Sequence, residues 1–252
     1  MWTGAQDVYA SAFVSRHVPS GRAVLEGPGI HGAALADSTS PVRLLVTDDR
    51  AHDELAALLP SIRTGMIDLF AEATRCTALV QAHLEWRSRA ATAMACRDLR
   101  TVPESTLTGE LILLPVRRLA DDAVDGVPLD DAVAVALSAD PTFEEPHAVL
   151  AGYLRSLSPA FQLFAAVDVD GAAHATSGVG VFGSQATVIF VNTGPGWRSR
   201  GIGRAMTAAA LSAAQATGAE QACLNASEAG LPIYQRLGFE TVARTTRSSS
   251  PT

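Results

Sequence analysis

The sequence predicts a mixed α/β fold, an α+β arrangement in which a mixed sheet carries helices on both faces, preceded by a smaller α/β region. Beyond residue 107 the predicted elements follow the order β-α-α-β-β-β-α-β-α-β, which differs from the strict alternation of a doubly wound sheet. Asp170-Gly171 between two apolar runs is a strong signal for a two-residue hairpin. The polar, proline-containing segment 101–106 marks a boundary. We therefore expect an accessory α/β domain over residues 1–106, a main domain over 107–246 and a disordered Ser-rich tail over 247–252.

The N-terminal region contains few sharp signals. Its first 25 or so residues have no firm period and stay unassigned. Residues 42–47 are rich in Val and Leu and predict a strand, and the aspartates at 48 and 49 can cap a short helix over 54–59. Apolar residues at helical spacing predict a helix between 65 and 85. Residues 91–99 predict another strand.

The elements of the main domain are clearer because hydrophobic runs alternate with Gly, Pro and polar breaks. The long helix is expected to stop at Gly218. In chain order the predictions are strand 110–116, helix 129–137, helix 143–157, strands 161–169, 172–182 and 186–191, helix 201–217, strand 221–225, helix 228–237 and strand 240–245.

The charge of the 252-residue chain argues against a nucleic-acid partner. The formal net charge is −7, whereas binding to phosphates needs an excess of basic side chains. All 19 basic residues are arginine, which together with the many alanines indicates a GC-rich bacterial genome more than a function. We expect no nucleic acid among the partners.

Hydropathy and cysteine content predict a soluble cytoplasmic protein. The longest apolar runs are broken well before the roughly 18 residues that a membrane span needs. No charged segment followed by an apolar one opens the sequence, so we expect no secretory signal. Cys76, Cys96 and Cys223 are widely spaced, as expected for reduced thiols. Their spacing does not fit a metal site, so we expect no bound metal and no membrane partner.

The segment with the clearest chemical signal is residues 188–204. A buried strand ends, a Gly/Pro turn follows, and a helix begins on Gly201 and Gly203. Unpaired N–H groups and the helix dipole favour an anion at such a helix start. Arg198, Arg200 and Arg204 add positive charge around the same turn, so the segment predicts a phosphate site.

A dinucleotide-binding loop is the competing interpretation of Gly201-x-Gly203. Glu220 even lies at a suitable distance downstream. However, Met206 occupies the third glycine position, and the loop lies late in the chain instead of opening a βαβ unit. This pattern disfavours a nicotinamide or flavin cofactor.

Two motifs resemble the GNAT superfamily of acetyltransferases. Residues 198–203, RSRGIG, match the family's (Gln/Arg)-x-x-Gly-x-(Gly/Ala) loop, which cradles the pyrophosphate of acetyl-CoA. About thirty residues later, 224–239 match the second motif, a strand and short helix that end in Tyr-x-x-x-Gly-Phe. The resemblance implies the GNAT fold for residues 107–246 and an N-acetyltransferase that uses acetyl-CoA as co-substrate.

The resemblance also implies roles for individual residues. Tyr234 would protonate the departing CoA thiolate, since a phenol with a pKa near 10 holds its proton at neutral pH. The alternative is an aromatic anchor for the short helix. Ser227 would contact pantetheine or, more simply, cap the helix. The acetyl-CoA contacts are expected from Val191, Asn192, Thr193, Arg198, Ser199, Arg200, Gly201, Ile202, Gly203, Arg204 and Ser227.

The sequence does not select a general base for the attacking amine. A water chain often suffices, and first-turn carboxylates and strand histidines usually have structural roles. The candidates are Glu144, Glu145, His147, His174 and Asn192.

Three broader questions stay open at the level of sequence. The N-terminal region is compatible with a degenerate GNAT half that lacks the phosphate loop, and it would then shape the acceptor cleft or a homodimer contact. The protein could instead be a non-catalytic sensor or interaction module that binds acyl-CoA, although a proton donor at Tyr234 favours chemistry. The amine acceptor is not identified.

Overall fold

A computed structural model of the chain describes residues 9–10, 13, 24–33, 42–63, 65–107, 109–118, 125–139 and 147–249. The helices are α1 His52–Leu58, α2 Thr74–His83, α3 Leu129–Ala139, α4 His147–Ser156, α5 Ile202–Ala216 and α6 Leu231–Arg236. The strands are β1 Val24–Gly27, β2 Ile30–Ala33, β3 Val42–Val46, β4 Gly65–Phe70, β5 Arg87–Cys96, β6 Ile112–Arg117, β7 Val127–Pro128, β8 Phe161–Val167, β9 Ala173–Phe182, β10 Gln185–Thr193, β11 Gln221–Ala226 and β12 Glu240–Ser249.

The chain forms two compact units that do not follow the boundary predicted at residue 106. Unit 1 contains residues 1–97, 223–232 and 239–252, and unit 2 contains residues 98–222 and 233–238. The C-terminal part of the chain thus contributes to both units. A boundary read along the sequence missed this because strands that lie far apart in sequence pair with one another.

Unit 1 is built around a mixed sheet with the strand order β1-β2-β3-β4-β12-β5-β11. Strands β3 and β4 are parallel, whereas β12 runs antiparallel to both β4 and β5. Leu44 and Val46 pack with α1 and α2 on one face, and Leu45 packs with Tyr9, Phe70 and other buried residues in a separate cluster. This alternation is the period of two expected of a strand buried on both faces.

Unit 2 is built around strands in the order β10-β9-β8-β6-β7, and all neighbours are antiparallel except β6 and β7. Ala165 and Val167 pack with α3 and α4, whereas Ala166 packs with Ile202 and Met206 of α5. Consecutive strand residues point to opposite faces, so helices cover both. The predicted mixed sheet with helices on both faces is confirmed.

The helix predicted between residues 65 and 85 is wrong in its first part. Residues Gly65–Phe70 form β4, and only Thr74–His83 are helical. Met66, Leu69, Phe70 and Ala73 have helical spacing, but the short apolar run is a buried strand, an ambiguity that periodicity alone does not resolve. Gly65 has a φ of +145°, and a Cβ there would lie 2.3 Å from the carbonyl oxygen of Val42, so β3 and β4 require glycine at this point.

The disordered tail predicted from residue 247 is also wrong for residues 247–249. Strand β12 continues to Ser249 and pairs with both β4 and β5. Ser-rich composition suggested fraying, but the backbone has ladder partners on both sides. The last three residues, 250–252, lie outside the described residues. The remaining predicted elements are present with ends shifted by a few residues, and residues 143–146 of the predicted helix are not described. Strands β1, β2 and β7 had not been predicted.

Candidate functional site

Strand β10 ends at the candidate site with a β-bulge. The register slips between Ile189 and Asn192, so that Phe190 and Val191 together face Ser177 of β9. Phe190 has a φ of +57°. The Thr176 hydroxyl donates to the Phe190 carbonyl at 2.9 Å and accepts from the Asn192 amide at 3.3 Å. The bulge re-aims the backbone of the stretch predicted to pair with pantetheine.

A tight turn follows the strand. The Gly194 N–H donates to the carbonyl of His174 at 2.8 Å, and the Trp197 N–H donates to the carbonyl of Gly194 at 2.9 Å. Residues Pro195–Trp197 form a single 3₁₀ turn. This turn directs the chain from the sheet into the Arg- and Gly-containing loop 198–203, which we call the anion loop.

Helix α5 begins at the anion loop, and the N–H groups of its first turn have no partner among the described residues. Gly201 caps the helix with φ +77° and ψ 0°, and no described side chain bonds to the helix end. The first intrahelical bond runs from the Ala205 N–H to the Gly201 carbonyl, so the N–H groups of Ile202, Gly203 and Arg204 are the orphan donors of the first turn. A Cβ at Gly201 would meet none of the described residues within 4 Å. The helix start is therefore open to an anion.

The three arginines of this segment have different surroundings. Arg198 donates through Nε to the Thr193 carbonyl at 3.3 Å, and its guanidinium also donates to the carbonyl of Ala139 at the end of α3.

Arg200 lies 3.9 Å from the Glu110 carboxylate, and its guanidinium carbon is 4.9 Å from the centroid of the Trp197 ring. The Nε of Arg204 is buried and has no hydrogen-bond partner among the described residues. The Arg198 side chain thus braces the loop, whereas Arg204 retains an unused donor. The exposed Ser199 has a φ of +62°.

Helix α6 brings Tyr234 to the same region of unit 2. A Cβ on Gly203 would lie 3.5 Å from the Thr193 hydroxyl and 3.6 Å from Cδ1 of Ile233, the residue before Tyr234. Tyr234 is only 8% exposed, and burial raises the pKa of its phenol to about 12. The end of β10, the anion loop and α6 therefore meet around Gly203.

Ser227 lies in unit 1, in the turn that leads to α6. Its hydroxyl accepts from the Gly230 N–H at 3.2 Å, and its carbonyl accepts from the N–H groups of Gly230 and Leu231 at 3.0 Å. These bonds organise the turn that leads into the helix.

The candidates for a general base are engaged in structural contacts. His147 lies 3.2 Å from the Asp130 carbonyl, and Arg155 reaches the Asp130 carboxylate at 3.3 Å, so this group joins α3 to α4. Asn192 bonds to Thr176 as described above. Glu144 and Glu145 lie outside the described residues. The structure does not single out a base among these residues.

His174 has a more specific environment than the sequence suggested. Its Nε2 lies 2.6 Å from the Asp168 carboxylate, and its ring stacks on Trp197 with centroids 4.3 Å apart and planes inclined by 24°. The hydrogen bond to His174 is the main cause that lowers the pKa of Asp168. Sequence reasoning singled out neither Asp168 nor Trp197, and the only available signal was the Asp-x-Asp-Gly turn that begins at Asp168.

Comparison with known proteins agrees with this geometry. Residues 143–249 match the family profile described as "Acetyltransferase (GNAT) domain", which spans the bulged strand, the anion loop and α6. This part of the chain is thus similar to the acetyltransferase domains of the GNAT family. No curated protein matches the chain in sequence.

Solved structures show the same fold over nearly the whole chain. A GCN5-related N-acetyltransferase from Kribbella flavida superposes with a TM-score of 0.62 at 20% identity and covers 96% of this chain and 94% of its own. One from Sphaerobacter thermophilus gives 0.55 at 14% identity, with 87% and 76% covered. A tandem GNAT protein from the clavulanic acid biosynthesis pathway gives 0.51 at 16% identity, with 88% and 79% covered. Among the described residues, none of the helices is long and apolar enough to cross a membrane.

Proposed function

We propose that the protein is an N-acetyltransferase that moves an acetyl group from acetyl-CoA to a primary amine by direct attack in a ternary complex. The observation that carries the proposal is the convergence at Gly203 of the strand end, the anion loop and the helix that holds Tyr234. The GNAT family of residues 143–249 supports an acyl-CoA donor. A glycine at the centre leaves backbone N–H groups accessible to a ligand.

The acetyl-CoA contacts follow from the chemistry of each segment. The pyrophosphate would accept hydrogen bonds from the N–H groups of residues 201–204, aided by the helix dipole. Arg200 and the unused Nε of Arg204 would supply charge, and Arg198 would act mainly through its backbone because its side chain is already bonded. The pantetheine amides would pair with the backbone of residues 191–193 as an added strand.

Tyr234 would supply the proton that the leaving group needs. Once the ammonium has lost a proton to water, the amine nitrogen attacks the thioester carbonyl. The C–S bond then breaks and the thiolate takes the phenol proton, and the proton that the nitrogen loses on becoming an amide returns Tyr234 to the phenol by way of water. A simple thiol has a pKa of about 8.5 in water, so proton transfer to its solvated thiolate from the buried phenol, whose pKa is about 12, would be uphill. Burial disfavours both anions, so the desolvation that holds the proton on Tyr234 also makes the buried thiolate more basic. With no base selected by the structure, we assign deprotonation of the amine to water.

Turnover by wild type and Tyr234→Phe tests the proposal. Purified protein is incubated with acetyl-CoA and aminoglycosides, polyamines, amino acids or short peptides, and free CoA is followed with a thiol reagent. We expect amine-dependent release whose kcat falls roughly 10²- to 10³-fold in Tyr234→Phe, with KM for acetyl-CoA nearly unchanged, because general acid catalysis is typically of this size.

Tyr9→Phe is the matched control for this experiment. Tyr9 is also buried with a raised pKa, and its hydroxyl donates to Asn225 at 2.9 Å in unit 1. It should keep the wild-type kcat. Equal rates in wild type and Tyr234→Phe would remove Tyr234 from the acid role. Binding of acetyl-CoA without release for any amine would favour an acyl-CoA sensor, and failure to bind acetyl-CoA would refute the proposal.

For the N-terminal region we propose a degenerate GNAT half that does not bind CoA. The chain order β3-α1-β4-α2-β5 repeats the order β10-α5-β11-α6-β12. Where the second series has arginines and glycines, the first has Asp48 and Asp49. The pKa of Asp48 is lowered to about 2, chiefly by its hydrogen bond to Arg50, and Asp49 accepts from the N–H groups of Arg75 and Cys76. Two carboxylates at this turn would repel a phosphate. One structural neighbour is a tandem GNAT protein, which supports a chain made of two GNAT-like halves.

A further inference from the structure

The geometry points to His174 as a positioning residue that sets the anion loop for CoA through Trp197, with Asp168 holding the imidazole. His174 would then not be the general base. This inference rests on the proposed function, because it concerns how the same loop binds the CoA phosphates. It depends on a series of contacts within unit 2 that runs from a hairpin turn to the loop.

The series begins at the turn between β8 and β9. The Asp168 carboxylate accepts from the backbone N–H groups of Asp170 and Ala172 at 3.0 Å through one oxygen, and its other oxygen lies 2.6 Å from His174 Nε2. The turn is closed by a Gly171 N–H bond to the Asp168 carbonyl at 3.0 Å. A carboxylate fixed on both sides fixes the ring that it contacts, which is the usual way that a histidine is held in one orientation.

The imidazole then supports the indole of Trp197. The two rings are 4.3 Å apart and nearly parallel, and the side chain of His174 is 20% exposed. The His174 carbonyl also accepts the Gly194 N–H at 2.8 Å, so the same residue holds the start of the turn by its backbone and the end of it by its ring. Trp197 in turn packs against a buried cluster that includes Ile202 of α5.

The last step is from Trp197 to Arg200. The Arg200 guanidinium carbon lies 4.9 Å from the Trp197 ring centroid, a cation–π distance. Among the described residues, the ionic partner of Arg200 is the Glu110 carboxylate, at 3.9 Å. The orientation of Trp197 therefore sets where the Arg200 charge stands beside the helix start. Asp168 engages Nε2 and Trp197 covers one ring face, so a base role would fall to Nδ1, and the variants below distinguish that role from positioning.

The test compares His174→Ala with His174→Phe, which keeps a stacking ring but has no titratable nitrogen. Two quantities are measured on the full chain: the Kd for coenzyme A by calorimetry, and acrylamide quenching of tryptophan fluorescence without ligand. Trp197→Phe identifies the Trp197 share of the signal, since the chain has 3 tryptophans. We expect His174→Ala to raise the Kd about three- to tenfold, the size of a lost aromatic stacking contact. We also expect it to make Trp197 more accessible to the quencher.

The Phe variant distinguishes positioning from chemistry. His174→Phe keeps the stacked ring but loses the Asp168 contact, so it should bring both the Kd and the quenching closer to the wild-type values than His174→Ala does. With an amine that supports turnover, its kcat should stay within about twofold of wild type. A large loss of kcat in His174→Phe with an unchanged Kd would show a base and overturn the inference. If the wild type binds coenzyme A normally and His174→Ala changes neither the Kd nor the quenching, the inference is overturned and the proposed function stands. If the wild type does not bind coenzyme A, both the proposed function and this inference fail.

Discussion

At the scale of single residues, the two glycines that open α5 differ in the reason that glycine is present. Gly201 has a φ of +77°, in the left-handed region, whereas Gly203 is within the helix and a Cβ there would make ordinary contacts at 3.5 and 3.6 Å. A residue with a Cβ in the left-handed region costs roughly 1–2 kcal/mol. The same substitution therefore has different consequences at two positions two residues apart.

We predict that Gly201→Ala lowers the free energy of unfolding by about 1 kcal/mol and weakens coenzyme A binding, because the backbone of the anion loop must move to relieve the strain. Gly203→Ala is the control and should change the free energy of unfolding by less than about 0.5 kcal/mol, since alanine also favours the helix. Urea denaturation and calorimetric titration measure the two effects. Equal stability of the two variants would show that the loop conformation is not strained by a side chain.

At the scale of elements, the C-terminal strand β12 carries two ion pairs of very different burial. Arg247 contacts both oxygens of Asp68 at 2.7 and 2.8 Å, and the Asp68 side chain is 2% exposed. At the other end of the strand, Arg97 contacts Glu240 at 2.8 Å with both side chains more than half exposed. Removing one partner of a buried pair leaves a desolvated charge, whereas water replaces the partner of an exposed one.

Arg247→Ala should therefore destabilise unit 1 by about 3–5 kcal/mol. Arg97→Ala should cost less than about 1 kcal/mol. Guanidinium denaturation of both variants, followed by circular dichroism, makes the comparison. A small effect of Arg247→Ala would mean that water reaches Asp68 and that the end of β12 adds little to the fold.

At the scale of the whole molecule, the two halves of the chain repeat an order of elements but not its charge. Three arginines surround the start of α5, whereas Asp48 and Asp49 precede α1. The charge at the corresponding turn is therefore opposite in the two halves.

We expect calorimetry to give one acetyl-CoA per chain. Arg200→Glu, at an exposed position of the anion loop, should weaken that binding strongly because it places a carboxylate beside the phosphates. Asp53→Arg, on the exposed surface of α1, is the control and should leave it unchanged. Two sites per chain, or binding that survives in Arg200→Glu, would contradict the absence of a site in the N-terminal half.

Much of unit 2 could be predicted because its signals are local. The Asp170-Gly171 turn, the apolar runs of β8 to β10 and the glycines of the anion loop each act within a few residues of themselves. The same locality makes Gly201 recognisable, since a helix that starts on glycine needs no distant partner to expose its N–H groups. The fold class and the resemblance of residues 143–249 to GNAT domains could thus be predicted from sequence alone.

What only the tertiary structure decided depends on partners far away along the chain. Residues 65–70 are a strand, although their spacing fits a helix, because β3 and β12 flank them, and Asp68 finds Arg247 across 179 positions. The end of β12 is ordered by the same pairing. The direction of the Arg198 side chain and the stacking of His174 on Trp197 depend likewise on elements brought together by the sheet. Periodicity and motifs indicate which chemical groups stand at a position. The burial of those groups and their contacts determine what they do, and both arise only when distant segments of the chain pack together.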